Sequence, residues 1–205
     1  MSDMASSLRV VVLTGGSTPE RRVALAGAGQ VVAALRSLGH EVQVVDTVRG
    51  PIHPDEEANL LSELVGAVPP TKEELGEWKQ REQSSNFLNL PSLRQCDLVF
   101  LVLHGRMGEG GLVQAVLESR GIRFTGSNYV GSALAMDKEL SKQLFKVNGI
   151  PTPDWLVWPA PEAQIDEMGY PLIVKPSYGG SSVSLSLVYS YVELCKNISD
   201  HFRFR

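Results

Sequence analysis

Short, continuously apolar runs alternate along the chain with stretches whose apolar positions recur every three or four residues, a pattern that predicts strands and helices in turn. Leu8 to Leu13, LRVVVL, is apolar and β-branched and ends in Thr14-Gly15-Gly16, as a buried parallel strand entering a turn should. Val23, Leu25, Ala28, Val31, Val32, Leu35 and Leu38 follow at helical spacing, and Gly39 supplies the stop. HEVQVVDT then reads as a second strand. Strand, helix and strand within about 40 residues make a βαβ unit, whose right-handed crossover implies a parallel sheet.

Residues 50–94 are broken by Pro51, Pro54, Pro69, Pro70 and Pro91, with polar helices expected in DEEANLLSELVGA and TKEELGEWKQREQ on the flank of the sheet. Cys96 to Gly105, CDLVFLVLHG, returns to an apolar strand; GLVQAVLESR predicts a short helix closed by Gly121, and IRFTGS a further strand. One helix is expected from Val130 to Val147, stopped by Asn148-Gly149. Pro151 and Pro153 then form a rigid joint that reads as a domain boundary. Beyond it, DWLVWP and YPLIVKP predict two strands of a new sheet, separated by a short helix in APEAQIDEMG. The last helix should present Val192, Cys195, Ile198 and Phe202 on one face.

Composition narrows the function classes. The 205 residues are 43% hydrophobic and 20% charged, a globular balance. A net charge of -4, without any block of lysine and arginine, argues against a nucleic-acid partner. Cys96 and Cys195 lack the spacing of a zinc site or a disulfide framework, which fits a reducing compartment. No run approaches the ~18 apolar residues of a membrane span, and the start lacks a basic, then apolar, leader. A cytoplasmic protein with no membrane partner is expected.

Four segments are candidates for chemistry. TGGSTPERRVAL places glycines between a strand and a helix, where backbone can approach a ligand and the positive helix end favours anions. It also reads simply as a tight turn, with Glu20 complementing the helix dipole. HGRMGEGG stands at the carboxyl end of a strand, where open parallel sheets bind ligands, and carries His104; a flexible connector is the plainer alternative. Lys138, on a helix, is by itself an ordinary solvated lysine. In VKPSYGGSSVSLS, Lys175 ends an apolar strand and is followed by Gly179, Gly180, Ser181 and Ser182, able to offer N–H groups and hydroxyls to phosphates. A plain hairpin turn fits the same residues.

Taken in order, these segments resemble the D-alanine–D-alanine ligases of the ATP-grasp superfamily. GGSTPERRVAL is similar to the family's GG-S-x-E-x-x-V-S-L, LHGRMGEGG to LHG-x-x-GEDG, GSALAMDK to a near-identical counterpart, and YPLIVKPSYGGSSVSLS to YP-x-x-VKP-x-x-x-GSS-V-G-x-S. The resemblance implies an α/β fold: a parallel Rossmann-like domain over residues 1–129, then the first part of an ATP-grasp domain over 130–205. It implies ligation of two D-alanines through an acyl phosphate, with ATP as phosphoryl donor, for peptidoglycan precursors. Glu20 would hold the ammonium of the first D-alanine, His104 would lie beside its carboxylate, and Ser181 would help order that site. Lys138 and Lys175 would contact the phosphates, with Gly180, Ser181 and Ser182 closing over them. A homodimer through the amino-terminal domain is also implied.

Three positions depart from the family pattern: Ala24 for serine in V-S-L, Gly110 for aspartate in GEDG, and Ser184 for glycine after GSSV. The family's adenine clamp, an arginine and the Mg²⁺ ligands are expected beyond residue 205, so no metal ligand is assigned here and the 205 residues alone are not expected to ligate. Two other readings stand beside this one: a non-catalytic α/β module for ligand binding or subunit pairing, and a ligase joining D-alanine to D-lactate or D-serine.

Overall fold

The computed structural model describes residues 6–62, 65, 68–180 and 185–201. The chain divides into two units, Met1–Ala133 and Leu134–Arg205. In the first, β1 (Arg9–Thr14) leads through α1 (Arg21–Ser37) to β2 (Glu41–Asp46), and β3 (Gly50–Pro51) turns back against β2. Helices α2 (Pro54–Leu61), α3 (Lys72–Ser84) and α4 (Pro91–Gln95) occupy the proline-broken stretch. Then come β4 (Leu98–Leu101), α5 (Gly105–Glu109), α6 (Leu112–Ser119) and α7 (Tyr129–Met136), within which the two units meet in sequence.

The sheet order is β3-β2-β1-β4, with β1 parallel to both β2 and β4. Its two faces explain the unbroken apolar run of β1. Val10 and Val12 pack with Val44 and with Leu25, Ala28 and Val32 of α1, whereas Val11 and Leu13 pack with Val45, Val99, Leu93, Val113 and Leu117. A central parallel strand buried on both faces has no side on which a polar residue reaches water. The parallel α/β architecture expected from the sequence is therefore the one observed.

Two expectations for this unit change. IRFTGS contributes only an isolated parallel bridge between Val99 and Phe124. Val99 N–H donates to the Arg123 carbonyl (2.8 Å), but the next donor, Leu101 N–H, is taken by the Thr125 hydroxyl (3.0 Å). A side chain in that place substitutes for the backbone acceptor that would continue the ladder. The HGRMGEGG segment, read as a loop, contains the five-residue helix α5, with the Glu109 carboxylate accepting from Gly105 N–H at 2.8 Å.

The second unit contains α8 (Lys138–Val147), α9 (Glu162–Met168), the antiparallel pair β5 (Leu172–Val174) and β6 (Ser186–Val188), and α10 (Tyr191–His201). The single helix expected from Val130 to Val147 is two helices. Asp137 adopts extended backbone (ψ 107°) and caps α8, its carboxylate accepting from the N–H groups of Glu139 and Leu140. DWLVWP is not a strand: β5 takes β6 as its partner, Pro151, Pro153 and Pro159 have no N–H to give, and the Lys142 ammonium binds the Pro153 carbonyl. The buried face of α10 is also displaced from the expected one. Leu194 and Ile198 pack with Ile165 and Val188, while Val192 is 77% exposed. Among the described residues, no helix is long and apolar enough to cross a membrane.

Candidate functional site

The β1–α1 turn is built over a buried ion pair. Arg21, in the first turn of α1, reaches Asp46 at the end of β2 with two hydrogen bonds, Nη1 to Oδ1 at 3.0 Å and Nη2 to Oδ2 at 2.5 Å. Both side chains are almost fully buried, and the guanidinium also donates to the Gly16 carbonyl and lies 5.3 Å from the Trp78 ring centroid. Such bidentate geometry, with a third hydrogen bond to backbone, is what allows a charge pair to be buried. Gly15 is required above it: φ is +93°, and a Cβ there would lie 2.3 Å from Asp46 Oδ1. Glu20 is the residue preceding α1, half-buried, and its side chain makes no capping hydrogen bond to that helix.

The end of β4 closes on this turn. Gly105 has φ +74°, and a Cβ on it would lie 2.7 Å from Thr18 Cγ2, so the turn bearing Glu20 and the segment bearing His104 are in contact. Two segments more than 80 residues apart in sequence thus converge at the carboxyl edge of β1 and β4, the place where open parallel sheets receive ligands. The His104 ring is one-third exposed, and its Nδ1 lies 3.6 Å from Glu109 Oε1.

A second cluster lies wholly within the other unit. The break at Asp137 makes Lys138 the first residue of α8, where its backbone N–H donates to the Ser177 carbonyl (3.0 Å) and its ammonium to the Gly179 carbonyl (2.5 Å). The Tyr178 hydroxyl donates to Asp137 Oδ2 at 2.6 Å. Lys175 directly follows β5, and its charge reaches Lys138. Burial first, and Lys175 second, hold the Lys138 ammonium below the ordinary lysine value. A lysine at a helix start also opposes the helix dipole. All three effects are relieved by an anion.

Both lysines line a cavity of about 860 Å³, a size suited to a small-molecule ligand. Lys138, Lys142, Lys175 and Ser177 supply polar groups, and Phe145, Trp155, Leu172 and Val174 apolar wall. Gly180 is exposed beside this segment, whereas Ser181 and Ser182 lie outside the described residues. Among the described residues, no group of three or more histidine, cysteine, aspartate or glutamate side chains could hold a metal ion.

Residues 9–127 match the family described as D-ala D-ala ligase N-terminus, and residues 144–205 match D-ala D-ala ligase C-terminus. The chain belongs to the D-alanine–D-alanine ligase family. It is 36% identical over 199 residues to the D-alanine–D-alanine ligase of Synechococcus sp. (strain JA-3-3Ab), covering 94% of this chain and 51% of that protein. The ligase structure from Coxiella burnetii superposes with a TM-score of 0.72 at 27% identity, over 97% of this chain and 61% of that one. A Bacillus anthracis ligase solved as a complex with ATP gives 0.67 at 26% identity, over 97% and 54%. The chain spans about half the length of the curated relatives it matches.

Within the family frame, the segments of Glu20 and His104 meet in one unit, and Lys138 and Lys175 meet in the other. Sequence reading passed over Arg21, Asp46 and Glu82; Asp46 stands out as a charge after the apolar VQVV, whereas Arg21 and Glu82 lie in polar stretches that give no local sign. It also passed over Glu109, two residues short of the end of a glycine-rich motif, and Asp137, quoted only as part of AMDK. Two departures from the family pattern acquire a setting. Ala24 is fully buried, so a hydroxyl there needs a partner. A Cβ at Gly110 would lie 2.4 Å from the Arg106 carbonyl oxygen, so aspartate needs a shifted turn. Ser184 lies outside the described residues.

Proposed function

We propose that this protein takes part in ATP-dependent joining of two D-alanines for peptidoglycan precursors, residues 1–129 supplying the first amino-acid site and residues 130–205 the opening of the ATP-grasp domain. The observation that carries the reading is the convergence of Lys138 and Lys175 on one cavity, where burial and the neighbouring charge of Lys175 hold the Lys138 ammonium below the ordinary lysine value. The ATP complex of the Bacillus anthracis relative supports a triphosphate as that anion.

In the reaction, a carboxylate oxygen of the first D-alanine attacks the γ-phosphorus of ATP, the γ-phosphorus bond to the β–γ bridging oxygen breaks, and ADP leaves. The amine of the second D-alanine then attacks the acyl carbon, loses a proton and expels phosphate, so that a dipeptide, ADP and phosphate result. Phosphorylation turns a poor leaving group into a good one, and the protein's part is alignment and charge neutralisation. Glu20 holds the first ammonium, His104 faces the carboxylate, and the two lysines meet phosphate oxygens. Ser181 and Ser182, with Gly180, complete the phosphate-facing turn. Mg²⁺, when bound, would neutralise phosphate charge; among the described residues no group of three or more histidine, cysteine, aspartate or glutamate side chains could hold it. A homodimer through the amino-terminal unit belongs to the same reading.

Calorimetric titration of the 205-residue chain tests it, with ATP and D-alanine as separate titrants. Lys138→Met with Lys175→Met should weaken ATP at least about tenfold, as expected for phosphate contacts worth over a kcal/mol, and leave D-alanine unchanged. Glu20→Gln should do the converse. ATP affinity indifferent to both lysines overturns the reading.

A further inference from the structure

Glu82 stands where a carboxylate is least expected. It lies in the last turn of α3, the negative end of the helix dipole, and is only 8% exposed. Both oxygens are occupied: the Thr47 hydroxyl donates to Oε1 and the Ser17 hydroxyl to Oε2, each at 2.5 Å. Thr47 Oγ1 in turn accepts from Gly16 N–H at 2.9 Å. One helical turn earlier, Trp78 of the same α3 faces the Arg21 guanidinium, which donates to the Gly16 carbonyl. A single helix, from the stretch that the family motifs leave untouched, therefore accepts from Ser17 directly and backs both residues that bond Gly16, Thr47 at its N–H and Arg21 at its carbonyl. Glu20 follows three residues after Ser17.

We propose that Glu82 is a positioning residue for the amino-acid site: it fixes the Gly16–Ser17 turn so that Glu20 meets the substrate ammonium in one orientation. The proposal rests on the reading of Glu20 given above. Glu82 touches no substrate and acts through Ser17 and Thr47. A carboxylate suits the task because it accepts from two hydroxyls at once, whereas an amide offers one acceptor and a donor face.

Glu82→Gln preserves size and forces one of the two hydroxyls, Ser17 or Thr47, to turn round. Titration with D-alanine should show affinity weakened roughly tenfold to a hundredfold, the scale of a small misplacement, with ATP affinity and melting temperature close to the parent. In a Ser17→Ala background the added effect of Glu82→Gln should shrink, and Gly16 amide exchange should quicken in Glu82→Gln. Parent-like D-alanine affinity in a folded Glu82→Gln overturns the proposal. If that variant does not fold, Ser17→Ala alone decides, and parent-like affinity there overturns it. Failure of the parent to bind D-alanine, or indifference to Glu20→Gln, overturns the reading of Glu20 and this proposal together; loss on Glu20→Gln but not on Glu82→Gln overturns this proposal alone.

Discussion

A single hydrogen atom at Gly15 separates a folded turn from a broken ion pair. Two glycines share nearly the same backbone, Gly15 at φ +93° and Gly39 at φ +87°, but a Cβ on Gly39 meets nothing within 4 Å. Gly39→Ala should thus cost only the left-handed strain of about 1–2 kcal/mol. Gly15→Ala carries that strain and also drives a methyl into Asp46, and parting a buried ion pair costs about 3–5 kcal/mol more. Denaturant melts of the two variants check the difference; equal losses would show that the Arg21–Asp46 pair gives way freely. The glycine pair was legible in the sequence as a turn. Its reason was not, because Asp46 lies on another strand, 25 residues beyond Arg21.

At the scale of elements, the break between α7 and α8 is the feature most consequential for the site. Apolar periodicity runs through residues 130–147 without interruption, so a local reading gives one helix. What ends α7 is tertiary: the Asp137 carboxylate accepts from the Tyr178 hydroxyl, and Lys138 N–H finds the Ser177 carbonyl. The Tyr178 hydrogen bond, followed by that of Leu140 N–H, holds the Asp137 carboxyl below its ordinary value. Its folded pKa is thus lower than the unfolded value of about 3.9, so its stabilisation is complete above about pH 4 and is lost as pH falls through the folded pKa. Tyr178→Phe should raise the Asp137 midpoint in a carbon-13 carboxyl titration and start acid unfolding at higher pH. An unmoved midpoint would mean that the tyrosine does not hold this corner.

At the scale of the whole chain, the two-stranded sheet of the second unit is left open on a face. In β5 and β6, Ile173 and Leu187 stand opposite each other in register, 61% and 49% exposed, while Val188 on the other side is buried under α9 and α10. Paired apolar residues on an uncovered two-stranded sheet attract apolar probes and neighbouring molecules. The chain should bind the dye ANS while folded, and Ile173→Thr with Leu187→Thr, which puts a strand-favouring residue at both positions, should remove most of that fluorescence. Undiminished fluorescence in the double variant would place the apolar surface elsewhere.

The sequence by itself determined the parallel sheet of the first unit, the βαβ order that opens it and the residue types gathered at the strand ends, because burial on one or two faces writes a period into neighbouring residues. It also carried the four motifs, whose order is a property of the chain alone. Only the tertiary structure decided which polar groups answer one another: Arg21 with Asp46, Glu82 with Ser17 and Thr47, Asp137 with Tyr178. It likewise chose Leu194 over Val192 as the buried side of α10. Periodicity records how often a side chain must avoid water, whereas a buried hydrogen bond depends on a partner whose distance along the chain has no period.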